Sequence, residues 1–148
     1  MGGRSPPHAR NEVSEDLIVV DTSAWVDFFR GRTTTVASRL ERLIEVQADV
    51  GITETILMEV LAGATAGEAL ARIRAELIAR PILRLEGLAD FEEAAQIYRT
   101  CRSAGHTLHS QLDCLIAVPV IRHGASLLHN DRDFETIARY STLKLDRA

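Results

Sequence analysis

Five carboxylates stand out because of where the chain places them. Asp21 directly follows the run Leu17-Ile18-Val19-Val20, and Asp131 and Asp133 follow the run Ala125 to Leu128. Asp113 is the lone charge in Leu112-Asp113-Cys114-Leu115-Ile116-Ala117-Val118-Pro119-Val120-Ile121, and Glu59 flanks the stripe Ile56, Leu57, Val60, Leu61. Acidic groups gathered at one edge of a sheet repel one another unless a divalent cation neutralises them. Ligation by oxygen alone suits Mg²⁺ or Mn²⁺, which keep waters in their remaining positions. Ions held in this way can hydrolyse a phosphodiester, because they activate water, neutralise charge at phosphorus and stabilise the leaving oxygen.

Each of these residues also has an ordinary role. Asp21 balances evenly between a turn residue and a site residue, since Thr22 and Ser23 can cap a helix without it. Asp133 is well placed to begin a helix, which favours a cap there. Asp113 favours chemistry: a helix apolar on all sides is buried, and a buried carboxylate needs a cationic partner, arginine or metal. The alternative is a core carboxylate held by backbone donors in the helix's first turn, where the helix dipole favours it. Glu59, judged by periodicity alone, reads as a solvated flank residue.

Other chemistries have little support. His106, His109, His123 and His129 lack the spacing of a zinc site, and His106 and His109 read as surface loop residues. Cys101 and Cys114 form neither a disulfide framework nor a C-x-x-C pair, which fits a reducing cytoplasm. No P-loop, G-x-G-x-x-G or G-x-S-x-G motif is present.

Positioning such residues requires an alternating fold. Leu17 to Val20 reads as a strand buried on both faces, followed by a helix bearing Trp25, Val26, Phe28 and Phe29 and stopped by Gly31. A helix with Val36, Leu40, Leu43 and Ile44 leads to a strand at Val50-Gly51-Ile52. Thr53 caps the Glu59 helix, and a further helix on Leu70, Ile73 and Leu77 ends at Pro81 before a strand from Ile82 to Leu85. Helices follow over Ala89 to Ala104 and, capped by Ser110, to Arg122, with Gly124 as a stop. A strand from Ala125 to Leu128, a helix from Asp133 to Tyr140 and a strand from Leu143 to Leu145 close the chain. Strands separated by helices imply a central parallel sheet between two helical layers, a three-layer α/β/α sandwich. Ligands in such folds bind beyond the carboxyl ends of the strands at the switch point.

A length of 148 residues fits one domain. Residues 1–16 are polar, carry Pro6-Pro7 and show no period, so they read as a disordered leader before a domain spanning 17–148. The longest apolar run, Cys114 to Ile121, is eight residues, too short for a bilayer, and no signal peptide is visible. A net charge of −4 gives no global attraction to nucleic acid, although 16 of the 17 basic residues are arginine, the better bidentate phosphate ligand.

Taken together, Val20-Asp21-Thr22-Ser23-Ala24-Trp25, Glu59-Val60-Leu61 with Gly63, Asp113-Cys114-Leu115-Ile116-Ala117 and Asn130-Asp131-Arg132-Asp133-Phe134, in this order, resemble the PIN-domain ribonucleases. Among these they are similar to the VapC toxins of bacterial toxin–antitoxin pairs. The resemblance runs from Leu17 to the C-terminus. It implies a PIN-like fold, a catalytic and metal-binding quartet of Asp21, Glu59, Asp113 and Asp131 with Asp133 accessory, and a hydroxyl at Thr22 or Ser23. It also implies Mg²⁺- or Mn²⁺-dependent endoribonuclease activity on RNA in the cytoplasm, with no membrane involvement. A VapB-type antitoxin would insert a segment, often with an arginine, into the acidic pocket, and the chain would form a homodimer or a toxin–antitoxin hetero-oligomer. For Glu59 the resemblance implies a place in the site, against what periodicity alone suggests.

Two features depart from the family pattern: Pro119 inside the Asp113 helix, which would kink its second half or alter its last turn, and the leader. Rival readings fare worse. A phosphoacceptor receiver domain would want adjacent acidic residues after the first strand and a lysine at a later strand end, whereas Thr22 follows Asp21 and the single lysine, Lys144, lies within the last strand. A D-x-D phosphatase fails at Ser23. The remaining alternative is a PIN fold that binds RNA or protein without cutting, which would be expected to have lost a carboxylate.

Overall fold

The computed structural model describes residue 14 and residues 16–147, so the expected leader lies almost wholly outside the described residues. Five strands, β1 (Ile18–Val20), β2 (Val50–Thr53), β3 (Ile82–Leu83), β4 (Ser126–Leu128) and β5 (Lys144–Leu145), form one sheet in the order β3-β2-β1-β4-β5, every pair parallel. Seven helices connect them: α1 (Thr22–Phe29), α2 (Thr35–Glu45), α3 (Glu54–Ala62), α4 (Glu68–Ile78), α5 (Leu88–Ser103), α6 (Gln111–His123) and α7 (Arg132–Arg139). Helices α1 to α4 pack among themselves, as do α5 to α7. Right-handed crossovers that run from β1 out to β3 and then back past β1 to β4 and β5 put the two sets on opposite faces of the sheet. The α/β/α sandwich expected from the sequence is therefore the observed fold.

The β-branched run of β1 suits the centre of this sheet. Val19 and Val20 are fully buried, and β1 pairs with β2 through Ile18–Val50 and with β4 through Val20–Leu128. Gly51 in β2 has a packing role: a Cβ there would meet the Pro81 carbonyl at 3.0 Å and the Leu17 methyls at 3.2 Å. Trp25 anchors α1, donating its indole N–H to the Val20 carbonyl at 3.0 Å and stacking on Phe29.

The strands at the sheet edges are shorter than the sequence suggests, since β3 stops at Leu83 and β5 begins at Lys144. Leu85 is instead held by its N–H, which donates to the Glu54 carboxylate at 2.7 Å. Helix α6 continues through Pro119 to His123 rather than stopping at the proline. Pro119 and its neighbours from Ile116 to Val120 are buried, and Gly124 in the left-handed conformation (φ 65°) ends the helix. Tertiary packing here outweighs the one backbone hydrogen bond that proline removes.

Candidate active site

The sheet order reverses at β1, where the chain goes first to β2 and β3 on one side and later to β4 on the other. That makes the carboxyl ends of β1 and β4 the switch point. Asp21 leaves β1 and its N–H donates to the Leu128 carbonyl at the end of β4, 2.9 Å away. Asp131 leaves β4 three residues after Leu128. The N-terminal turn of α6 delivers Asp113 to the same place, and α3 delivers Glu59.

Asp113, Asp131 and Asp133 each offer a carboxylate oxygen, and the three atoms lie within 4.8 Å of one another. Asp21 and Glu59 are near enough to add repulsion at Asp113. All five acidic residues singled out in the sequence thus come to one edge of the sheet, with Asp21 and Glu59 outside the tight trio.

Each carboxylate is held differently. Asp21 stands at the N-cap position of α1 but does not cap it; its Oδ2 accepts from the Ser23 hydroxyl at 3.1 Å. Glu59 is half-buried, and its Oε1 accepts from the Thr22 hydroxyl at 3.0 Å, so adjacent hydroxyls orient two carboxylates. Asp131, rather than Asp133, caps α7: its Oδ1 accepts from the Asp133 N–H at 2.9 Å. Asp133 is buried, and its Oδ2 accepts the backbone N–H of His109 at 2.7 Å, with His109 Nδ1 at 3.0 Å. The cap expected at Asp133 therefore belongs to its neighbour two residues earlier, because helix α7 starts at Arg132 and a cap must precede the first helical residue.

Asp113 is 8% exposed and makes no ion pair or hydrogen bond through its side chain among the described residues. Burial, then repulsion from Asp131, Asp21, Asp133 and Glu59, pushes its carboxyl up to about 7. Burial also pushes Asp21 up to about 6, against the pull of the Thr22 N–H and the Ser23 hydroxyl. Among the described residues no arginine pairs with this cluster: Arg132, between Asp131 and Asp133 in sequence, is exposed and forms no ion pair. A cluster of hard oxygen donors, with raised proton affinity at Asp21 and Asp113 and no paired arginine among the described residues, fits a divalent metal ion.

Two histidines that spacing could not find belong to this site. His129 accepts the Asp131 N–H at Nδ1 (3.0 Å), which leaves Nε2 as the protonated nitrogen, 3.4 Å from Glu135. Burial holds its pKa below the usual histidine value. His109 is on the surface as expected but is tied to Asp133, whereas His106 is half-buried against Tyr140. The position of His129, between a strand end and Asp131, was the available signal. Cys101 and Cys114 are buried, and burial pushes the Cys114 thiol up to about 12 and the Cys101 thiol upward, which disfavours thiolates there.

A parallel sheet with carboxylates converging at its switch point defines an α/β fold with an acidic, metal-type centre. Comparison with known proteins places it more closely. The PIN domain family profile matches residues 18–140. The chain is 41% identical over 129 residues to Ribonuclease VapC11 of Mycobacterium tuberculosis and, to the same extent, to a VapC ribonuclease of Mycobacterium bovis, covering 86% of this chain and 96% of each relative. This chain therefore belongs to the PIN-domain family and, within it, to the VapC ribonucleases. Solved structures share the fold at lower identity. One is VapBC2 from Rickettsia felis bound to a promoter DNA fragment (TM-score 0.64, 18% identity, covering 88% of this chain and 97% of that one). Another is VapC20 from Mycobacterium tuberculosis, a toxin that cleaves the sarcin–ricin loop (TM-score 0.60, 17% identity, covering 86% and 98%).

Proposed function

We propose that this chain is the toxin of a toxin–antitoxin pair, an endoribonuclease that hydrolyses RNA phosphodiesters with the help of Mg²⁺ or Mn²⁺. The observation that carries the reading is the unpaired, buried Asp113 within a trio of carboxylate oxygens at the switch point. Kinship with VapC ribonucleases supports RNA as the substrate.

In this reading Asp113, Asp131 and Asp133 hold the ion, with Asp21 and Glu59 completing the acidic shell. A bound divalent ion supplies charge neutralisation at the phosphate and a water of lowered pKa. The chain's own groups do the rest. Thr22 and Ser23 fix the rotamers of Glu59 and Asp21. The α7 cap and His129 fix Asp131. Asp21, held by the Ser23 hydroxyl, adds its charge to the acidic shell around the ion.

The partner in this reading is a small VapB-type antitoxin that covers the pocket with a guanidinium, which pairs bidentately with carboxylates and competes for the metal's place. Exposed Leu88, Phe91 and Leu112 on α5 and α6 offer a face for association of two copies. No helix among the described residues is long and apolar enough to cross a membrane, and the reading places the protein in the cytoplasm with its RNA.

Incubating purified protein with total cellular RNA, with Mg²⁺ or Mn²⁺ and with EDTA, followed by end mapping, tests this. Discrete, metal-dependent ends are the expected result. Intact RNA under every metal condition, with binding retained, would show a PIN fold that holds RNA without cutting it.

A further inference from the structure

His109 lies in the loop between α5 and α6 and meets Asp133, which the chain reaches 24 residues later. Both of its nitrogen donors converge on one atom. The backbone N–H is 2.7 Å from Asp133 Oδ2 and ring Nδ1 is 3.0 Å from the same oxygen. A carboxylate oxygen can only accept here, so the ring nitrogen facing it carries a hydrogen, and Nε2 faces outward. The ring is 90% exposed, while the Asp133 side chain is 9% exposed. Core packing therefore does not explain where the imidazole sits. Clipping the loop does not require it either, since the backbone N–H does that alone.

We propose that His109 is a positioning residue of the metal centre, its Nδ1–H and N–H together fixing one oxygen of Asp133 so that the other is presented to the cation. The inference rests on the metal-dependent reading given above. The residue type suits the task. Arginine beside a buried carboxylate neutralises it, as Arg122 does at Asp90, and would compete with an incoming ion. An imidazole ring N–H orients the carboxylate from the protein surface without the permanent charge of a guanidinium. Ligating carboxylates are in general held by hydrogen bonds of this kind, and loss of such a partner weakens metal binding about ten- to hundredfold. Full exposure of the ring puts His109 at the low end of that range.

The test is Mn²⁺ binding by isothermal titration calorimetry on the full chain, alongside thermal melts in EDTA. His109→Ala should weaken Mn²⁺ binding about tenfold while shifting the metal-free Tm by no more than about 1 °C, as expected of a surface site. His109→Asn puts an amide nitrogen where Nδ1 stands and should restore binding to within about threefold of the parent. His109→Gln puts its nitrogen where Nε2 stands and should not. Equal Mn²⁺ affinity in parent and His109→Ala would overturn the proposal. Rescue by Gln and not Asn would overturn it in favour of direct contact through the outer nitrogen. A metal-free Tm that falls in step with affinity would overturn it in favour of a loop clip. Absence of Mn²⁺ binding by the parent protein would overturn the metal reading itself, and this proposal with it.

Discussion

The two ends of α6 handle buried carboxylates in opposite ways. In its last turn Arg122 pairs with Asp90 of α5, which is 3% exposed and also accepts the Glu86 N–H at 2.7 Å. Burial works against ionisation of Asp90, but the Glu86 N–H and Arg122 outweigh it and hold the carboxyl below its usual range. In the first turn Asp113, 8% exposed, faces other carboxylates, and its proton affinity rises instead. Both side chains are shut off from solvent and the residue type is the same, but Asp113 lies deeper in the protein, whereas Asp90 lies near the surface beneath Arg122. The fold also supplies a cation to one and only further carboxylates to the other. Where it does, the carboxylate joins α5 to α6; where it does not, the fold leaves room for a charge from outside.

Removing each carboxylate in turn separates these roles most sharply. Asp113→Asn should lower metal-dependent RNA cleavage on the order of a thousandfold or more, while raising the metal-free Tm by roughly 3 °C as repulsion is relieved. Asp90→Ala should do the reverse. It should cost about 2 kcal/mol, less than the 3–5 kcal/mol typical of breaking a fully buried pair because Arg122 is partly solvated, and leave cleavage per folded molecule unchanged. Melts and cleavage rates on both variants decide the matter. A stability loss in Asp113→Asn as large as that in Asp90→Ala would make Asp113 a structural residue and erase the contrast.

The same contrast extends to pH. Asp21 and Asp113 have folded-state pKa values of about 6 and about 7, above the unfolded 3.8. Between those limits the folded chain retains protons that the unfolded chain has released, so their contribution to stability is full below about pH 4 and is lost as pH rises toward 7. Without metal, the Tm should fall by roughly 3–6 °C over that rise, and Asp113→Asn should flatten much of the slope. Saturating Mn²⁺ should reverse the trend, because ion binding strengthens as the carboxylates lose their protons. Asp90 has the opposite sign, and its stabilisation is lost only as pH falls below the usual carboxylate range. A metal-free Tm that climbs from pH 5 to pH 8 would contradict the unpaired character of the acidic end.

The smallest effect concerns a third kind of carboxylate. Arg39 on α2 grips Asp146 beyond β5 with two hydrogen bonds, of 3.1 and 3.2 Å, and is itself about one-third exposed. Arg39→Met should lower stability by no more than about 1 kcal/mol, shrinking further in high salt. A larger, salt-insensitive loss would place Asp146 with Asp90.

Much of this was readable from the residues. The β-branched run at Leu17 to Val20 and the caps at Thr53 and Ser110 announced their elements, because they are local effects of side-chain shape and hydrogen bonding. Asp113 announced itself because a charge in an apolar helix has few explanations. Glu59 did not: only the approach of Thr22 from another helix makes it part of the site, and no periodicity encodes that contact. His109 and His129 were hidden for the same reason, since each is defined by the partner it meets in space. That the helix continues past Pro119 was not legible locally, since the burial of α6 that favours it is a property of the whole core.

The central place of β1 also bears on when the protein becomes active. Asp21 and Asp131 meet only because β4 inserts beside the first strand, more than a hundred residues after it in the sequence. Parallel pairings at such separation close late, since the intervening chain must be ordered before the contact forms. A polypeptide emerging from the ribosome in N-to-C order has made β1, β2 and β3 well before it has made the residues that complete the acidic cluster. A nascent chain stalled before Leu128 therefore carries Asp21, Glu59 and Asp113 without the carboxylates that complete the trio. On the proposed reading, hydrolytic competence would arrive only in the last tenth or so of synthesis, once Asp131 and Asp133 have been made.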